Sequence, residues 1–425
     1  MAPETSIYLH IPFCKHRCAY CDFNTYAGQE DSTPAYVDAL INEIDFVGHH
    51  AGRAAERVET NVHTVFFGGG TPSLLSEAQF ESILIALRAA FTFTADAEIS
   101  IEANPGTISP GKLTAIRAAG INRISFGVQS ANTEELRMLE RAHDFFTIIE
   151  AVSTARKAGF DNLNLDLIYG LPEQSMQTWQ TTLKRVLDLH PEHISAYALT
   201  LEHGTPFGKW SSKGLLPLPD PDLVADMYEW ACEYLEINGY VHYEISNWAK
   251  NKDEGEFMKD KKIIHPSSFI SDPFFACRHN LQYWHSLPYL AFGAGAHGYA
   301  GGYRYSNALR IKTYIDCLTN IESRILNFEF PLSPADVNQH KQTPQDDMSE
   351  YMLNNLRLVQ AGVAEADFRS RFGRGLLDVY PKEIEELIHV GLLECKTSEF
   401  FENSEVYRLT KRGRLLGNQV FMQFL

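Results

Sequence analysis

The chain has no unbroken apolar run of about 18 residues, so no part of it is expected to cross a bilayer as a helix. It has no excess of basic charge: 37 Lys and Arg stand against 54 Asp and Glu, giving a net charge of −17. That balance removes the broad positive footprint of a nucleic-acid binder, and no nucleic-acid partner is expected. The opening residues Met1–Thr5 show neither a basic region followed by an apolar one nor an Arg-rich transit pattern, so no targeting signal is expected. Cysteine is scarce, and the count of seven is odd, which argues against a disulfide framework. A cytoplasmic setting follows as the expectation, with thiols kept reduced and free for metal. Peripheral contact with a membrane surface stays open.

What is present is material for a large core. The 425 residues are 44% hydrophobic. That length exceeds one ordinary domain, although an α/β barrel can take up most of it. Apolar runs at Ser6–Ile11, Val62–Phe67, Ala97–Glu102, Arg123–Phe126, Leu163–Ile168 and His193–Ala198 read as buried parallel strands. Helical periodicity lies between them at Pro34–Gly48, Glu77–Ala90, Pro110–Ala119, Thr147–Ala158 and Met176–Leu189. Gly120 and Gly159 stand where helix-ending glycines belong. Six strand–helix units predict an α/β fold, a partial (β/α)6 TIM-like barrel over residues 1–240. A helix over Pro221–Ile237 and a strand over Val241–Ser246 come next. Residues 241–330 read as a barrel extension holding an inserted polar loop at about 250–275. A linker around Pro331–Gln345 opens a small, mainly helical, winged-helix-like C-terminal domain over 331–425. There, Ser349–Gln360 and Lys382–Val390 read as helices, and Val406–Thr410 with Val420–Leu425 as short strands or helix. Arg408, Lys411, Arg412 and Arg414 read as a solvated basic turn.

Polar residues collect where the predicted strands end, which is where parallel α/β barrels build their sites. Cys14, Cys18 and Cys21 follow the first strand with the spacing Cys-x3-Cys-x2-Cys. Three thiolates suit a [4Fe–4S] cluster with one iron left open. They also suit zinc with His10 or His16 as fourth ligand, or a closed cluster completed by Cys277. Gly68–Gly70 and Thr71 follow the second strand, without the lysine of a phosphate-binding loop. Glu102 ends the third strand, Gln129 lies past the fourth, Arg141 follows, and Asp166 sits in the fifth. Each reads either as a ligand contact or as part of a structural ion pair, for instance Glu102 with Arg123 or Arg141. Tyr20, between two cysteines, can cover a bound group or simply pack. A second cluster, Cys277-Arg278-His279-Asn280-Leu281-Gln282-Tyr283-Trp284, sets an imidazole beside two large rings. Such a histidine is either a packed core residue or a heme ligand between flat walls. His297, in the run Gly293–Gly298, either faces a cofactor or caps a turn.

Taken together, Tyr8–Cys14, Gly69–Pro72, Ile101–Pro105, Gly127–Gln129 and Asp166–Pro172 resemble the coproporphyrinogen-oxidase-like branch of the radical S-adenosylmethionine (SAM) proteins. Cys21-Asp22-Phe23 and the His279-Asn280-x2-Tyr283-Trp284 element further resemble the HemW heme chaperones within that branch. The resemblance implies a radical-SAM barrel with a SAM-chelated [4Fe–4S] cluster on Cys14, Cys18 and Cys21. It implies SAM contacts from Tyr8, Tyr20, Gly69, Gly70, Thr71, Glu102, Gln129, Arg141 and Asp166. It implies heme at His279, with Tyr283 and Trp284 as walls, and a heme-acceptor protein as partner. A low-potential electron donor such as a flavodoxin or ferredoxin would serve SAM cleavage if cleavage belongs to the cycle. Two departures argue against a coproporphyrinogen dehydrogenase: Phe23 stands where those enzymes carry a further cysteine, and only 13 residues precede Cys14. The link from Trp248 to Cys277, which includes His265, is longer than is usual among the HemW proteins. The resulting expectation is a heme chaperone. Its rival is a radical-SAM methyltransferase, decarboxylase or dehydrogenase acting on a tetrapyrrole or small aromatic substrate.

Overall fold

The computed structural model describes residues 4–50, 61–217, 219–252, 272–319, 333–397 and 405–425. Most of the expected inserted loop, His265 included, lies outside the described residues. The chain divides into two compact units, one of residues 1–192, 196–227 and 288–341, the other of residues 193–195, 228–287 and 342–425.

The first unit is built on parallel strands. Glu4–Ile11, Asn61–Gly69, Thr92–Ala103, Arg123–Gln129 and Leu163–Tyr169 pair in that order, all parallel. The sixth expected strand, His193–Ala198, is also present. Beyond its end, the Leu199 N–H donates to the Tyr169 carbonyl at 2.9 Å. On the other side of Glu4–Ile11 the sheet gains an unexpected parallel strand, Tyr289–Phe292. Antiparallel strands His297–Ala300, Tyr303–Asn307 and Asp336–Lys341 extend it further. Residues 336–341, expected as linker, are therefore an edge strand. Their sequence, Asp-Val-Asn-Gln-His-Lys, lacks an apolar alternation because an edge strand needs a ladder on one side only and faces water.

The strands carry one apolar and one polar face, as side chains alternate along a strand. Ile7, Leu9, Val65, Phe67, Ile99, Ile101, Ile124, Phe126, Leu165 and Leu167 form the apolar face, and all are buried. Ser6, Thr64, Ser100, Arg123, Ser125 and Asn164 are the alternate residues, and they are buried too. Hydrogen bonds link them: Thr64 donates to Ser6 at 2.6 Å, and Asn164 donates to Ser125 at 2.8 Å. Such pairing offsets the cost of taking polar groups out of water. Short polar residues also leave room for longer ones at the strand ends.

Register sets those ends level. Ile11 pairs with Gly69, Glu102 with Ser125, and Gly127 with Asp166. The helices between start on side-chain caps, among them Ser76, Ser109, Asp144 and Ser175. Gly120 closes Pro110–Ala119 at φ +112°, a left-handed conformation that favours glycine.

In the second unit, Tyr240–Glu244 and Asn247–Lys250 form a hairpin, and Asn247–Ala249 pair with His193–Ser195. Arg278–Trp284 is a short helix. The C-terminal part combines helices Pro344–Asn355, Glu365–Phe372 and Pro381–His389 with a three-stranded antiparallel sheet of Val363–Ala364, Glu405–Leu409 and Leu393–Thr397. This is the winged-helix pattern of helices beside a β ribbon. Its basic residues serve the fold: Arg408 donates to the Gln360 carbonyl at 3.1 Å and Arg412 to that of Val390 at 3.3 Å.

Candidate functional site

The cysteine loop hangs on the strand ends of the first unit. Cys14 is in a two-residue ladder, Phe13–Cys14 with Tyr26–Ala27, that closes the loop on itself. Gly70 N–H donates to the Ile11 carbonyl at 2.9 Å and Thr71 N–H to that of Phe13 at 2.8 Å. The Thr71 hydroxyl points at Cys14 Sγ, 3.5 Å away. Cys21 N–H returns to the Cys18 carbonyl at 3.1 Å, folding the second half of the loop. All three thiols are free, Cys14 buried and the other two half-buried.

A cavity of about 620 Å³ opens beside this loop. The three cysteines, Tyr20, Gly69, Gly70, Thr71, Glu102, Gln129, Arg141 and Asp166 line it. Tyr8 alone among the expected SAM contacts is not on its wall. Its ring stacks on Phe66 and its hydroxyl meets His10 Nδ1 at 3.0 Å. Tyr197, near the end of the strand His193–Ala198 where the sequence places a polar residue of the mouth, also lines the cavity, as does Asn104 of the Ile101–Pro105 run. Thr107 and His143 line it too and were not picked out from the sequence, since nothing in their local pattern marks them.

The polar groups are individually held. Glu102 accepts the Gly69 N–H at 3.1 Å. Burial, and then the Asp166 charge, push its carboxyl up to about 7, against the smaller opposing effects of that hydrogen bond and of Arg123. Asp166 accepts from Ser125 at 2.6 Å and from Asn164 at 2.7 Å. Arg141 donates to the Gly127 carbonyl at 2.8 Å, and its other terminal nitrogen lies 3.9 Å from Cys18 Sγ. Gln129 turns back toward the cavity at φ +66°, an uncommon conformation for a residue with a Cβ. Burial and the Arg141 charge push His143 down to about 4, leaving its imidazole neutral at pH 7. Tyr20 packs on Phe207 and the cluster around Ile168 and Leu171.

The glycines are also required by packing. A Cβ on Gly70 would stand 2.7 Å from the Phe13 carbonyl oxygen, and one on Gly69 would stand 2.5 Å from the His10 ring. Their lack of a Cβ seats the cysteine strand against its neighbour on the cavity wall.

This donor set fits an iron–sulfur cluster with SAM better than zinc. Of the two expected histidine ligands, His10 has both ring nitrogens engaged and His16 is paired at the surface. His10 Nε2 donates to the Asn24 carbonyl at 2.9 Å, so Nδ1 is the acceptor of the Tyr8 hydroxyl. His16 Nε2 pairs with Glu140 at 2.8 Å. Among the described residues no three His, Cys, Asp or Glu side chains are arranged to hold one metal ion. A cubane cluster asks for something else, since its three thiolates bind three different irons and stand farther apart. Burial pushes the Cys14 and Cys21 thiols up, which couples their deprotonation to metal binding. Arg141 Nε is buried with no hydrogen-bond partner, an unspent donor beside the thiols that suits the carboxylate of SAM.

In the second unit, the helix Arg278–Trp284 begins after buried Cys277. His279 is 1% exposed, and its Nε2 lies 2.8 Å from the Tyr283 hydroxyl, one turn along. The Arg357 guanidinium covers the Trp284 ring at 5.0 Å. His279 is thus a packed imidazole held by the tyrosine expected to flank heme. His297, by contrast, is exposed in the first unit.

Comparison with known proteins agrees with this geometry. The Radical SAM superfamily model matches residues 8–186, and the HemN C-terminal domain model matches residues 342–416. The chain is 36% identical over 421 residues to the heme chaperone HemW of Bacillus subtilis (strain 168), covering 99% of both chains. It is 33% identical over 426 residues to HemW of Escherichia coli (strain K12), covering 100% of this chain and 98% of that one. The solved structure of Escherichia coli coproporphyrinogen III oxidase (HemN), described as a radical SAM enzyme, superposes with TM-score 0.76. That match has 27% identity and covers 99% of this chain and 90% of the other. Likeness at this level along the whole length, on a barrel whose first strand delivers three free thiols into one cavity, places the chain in the HemW heme chaperone family of radical-SAM proteins.

Proposed function

We propose that this chain binds heme and passes it to an acceptor protein, on a scaffold that holds a [4Fe–4S] cluster and SAM. The observation that carries the reading is full-length likeness to proteins named heme chaperones, joined to the thiol-lined cavity. Cys14, Cys18 and Cys21 hold the cluster and leave one iron for SAM. When bound, that pair supplies one-electron reduction of a sulfonium. Arg141 holds the SAM carboxylate, Glu102 and Asp166 accept its donor groups, and Tyr20 forms one wall of the cavity. The glycine run and Thr71 fix the position of Cys14. His279 is the heme ligand, with Tyr283 and Trp284 beside the macrocycle. Among the described residues no helix is long and apolar enough to cross a membrane, and we place the protein in the cytoplasm. A flavodoxin- or ferredoxin-class donor would supply electrons.

Phe23 favours this reading over a porphyrinogen decarboxylase. It is 64% exposed, an apolar ring on the cavity wall where those enzymes carry a thiol. The test is a visible spectrum of anaerobically purified protein before and after adding heme, followed by transfer to an apo heme protein. The expected result is a brown iron–sulfur chromophore, then a Soret band that moves to the acceptor with the tetrapyrrole unchanged. Loss of a carboxyl or gain of a methyl on a tetrapyrrole, with SAM and reductant present, would establish the enzyme reading instead.

A further inference from the structure

We propose that Asn24 is the positioning residue of the cysteine loop, clamping it to the turn Gly293–Ala296, and that this clamp sets how firmly the protein retains its cluster. The inference rests on the cluster reading of Cys14, Cys18 and Cys21.

Asn24 follows Cys21 by three residues. Its side-chain amide donates twice, to the Ala294 carbonyl and to the Leu309 carbonyl, each at 3.0 Å. Its own carbonyl accepts from His10 Nε2 at 2.9 Å. One residue therefore joins the loop to the end of the first strand and to two distant segments, 270 and 285 residues away in sequence. The receiving turn is itself fixed. Ala294 N–H donates to the Tyr36 hydroxyl at 2.8 Å, and that hydroxyl donates to the His10 carbonyl at 2.7 Å. Gly293 N–H donates to Glu43 at 2.9 Å, deep in the core.

The glycines of this turn explain themselves by the same contacts. Gly295 lies at φ +75°, and a Cβ on it would overlap Asn24 Nδ2. A Cβ on Gly293 would stand 2.5 Å from the His10 carbonyl oxygen. The turn is glycine-rich because the loop residue sits against its backbone. The loop that carries the thiols is then held in place by a frame that exists before metal binds. A preformed frame slows cluster loss because a thiolate that lets go of its iron stays close and rebinds.

The experiment compares wild type, Asn24→Ala and Gly295→Ala, with Gly111→Ala as control, since a Cβ there meets nothing within 4 Å. Reconstituted proteins are mixed with a ferrous chelator under anaerobic conditions, and loss of the iron–sulfur absorbance is timed. Metal-free proteins are examined by hydrogen exchange on the peptide covering residues 14–27. Removing two amide hydrogen bonds should speed iron release roughly tenfold in Asn24→Ala. Gly295→Ala should behave likewise, and Gly111→Ala should match wild type. In metal-free wild type the 14–27 peptide should be protected, and the two variants should lose that protection while far-UV circular dichroism stays unchanged. Wild-type release rates in Asn24→Ala overturn the inference. Should that variant not fold, rapid exchange of the 14–27 peptide in metal-free wild type overturns it equally. If wild type itself takes up no cluster, the failure belongs to the cluster reading and not to the clamp, whose protection in the metal-free protein is scored separately.

Discussion

Glu102 gives the sharpest quantitative test of the SAM site. Its carboxyl is pushed up to about 7 by burial and by Asp166. The charged form needed to accept a ligand's donor groups therefore builds as pH rises through neutrality. Ionisation falls from about nine-tenths at pH 8 to about one-tenth at pH 6, given a value of about 7. If SAM binds the carboxylate, its affinity should drop about tenfold over that interval. SAM titrates as well, so the informative quantity is the ratio of wild-type to Glu102→Gln affinity at each pH. Equilibrium dialysis with labelled SAM and cluster-loaded protein measures it. The ratio should fall about tenfold from pH 8 to pH 6, the variant being weak and its profile reflecting the ligand alone. The same shift carries a stability signature with the opposite sense. The folded state binds this proton more tightly than the unfolded chain, so Glu102 lowers the stability of the ligand-free protein progressively between 4.5 and about 7. Parallel SAM affinity profiles for wild type and variant would refute the reasoning.

Cys18→Ser should abolish the iron–sulfur absorbance and SAM binding together; SAM bound at full strength by that variant would disprove the open-iron picture. His279→Ala should weaken heme binding with the cluster spectrum intact. Tyr283→Phe should do the reverse, raising heme affinity about fivefold, because His279 Nε2 no longer has the tyrosine hydroxyl at 2.8 Å as a competing partner. A heme titration that places both variants at wild-type affinity removes His279 from the site. Glu43→Ala should cost about 3 kcal/mol or more, seen as a lower urea midpoint, since Gly293, Asn307, Tyr314 and Ser333 all lose their acceptor in the core. An unmoved midpoint would contradict that account.

The barrel strands were legible because burial of the apolar face imposes a pattern that neighbouring residues share. Val62–Phe67 became Asn61–Gly69, and His193–Ala198 was found without change. Their ends located most of the cavity wall for the same reason, as register brings Gly69, Glu102 and Asp166 level. Tyr289–Phe292 was less legible, being four residues with no polar alternation and set in a run of rings and glycines. Its place beside Ser6–Leu9 is a long-range fact that no local period encodes. Asp336–Lys341 was missed because an edge strand exposes its side chains and reads as a loop.

The polar residues divide along similar lines. Glu102 and Asp166 stood out because a carboxylate in an apolar strand demands an explanation. His10 also stood out, as a candidate ligand, yet both of its ring nitrogens are spent on Tyr8 and Asn24. Sequence shows which atoms can bind but not which are already bound. That distinction is sharpest at His279, where spacing set an imidazole beside two rings and the fold closed the nearer ring onto it. A ligand reading and a core reading there share these residues and differ in what the buried His279 Nε2 meets. Because the Tyr283–His279 contact lies within one helical turn, the helix can stay folded while that contact opens. Binding at Nε2 requires that contact to open and the 1%-exposed imidazole to be uncovered, so the heme titrations of His279→Ala and Tyr283→Phe separate the ligand reading from the core reading.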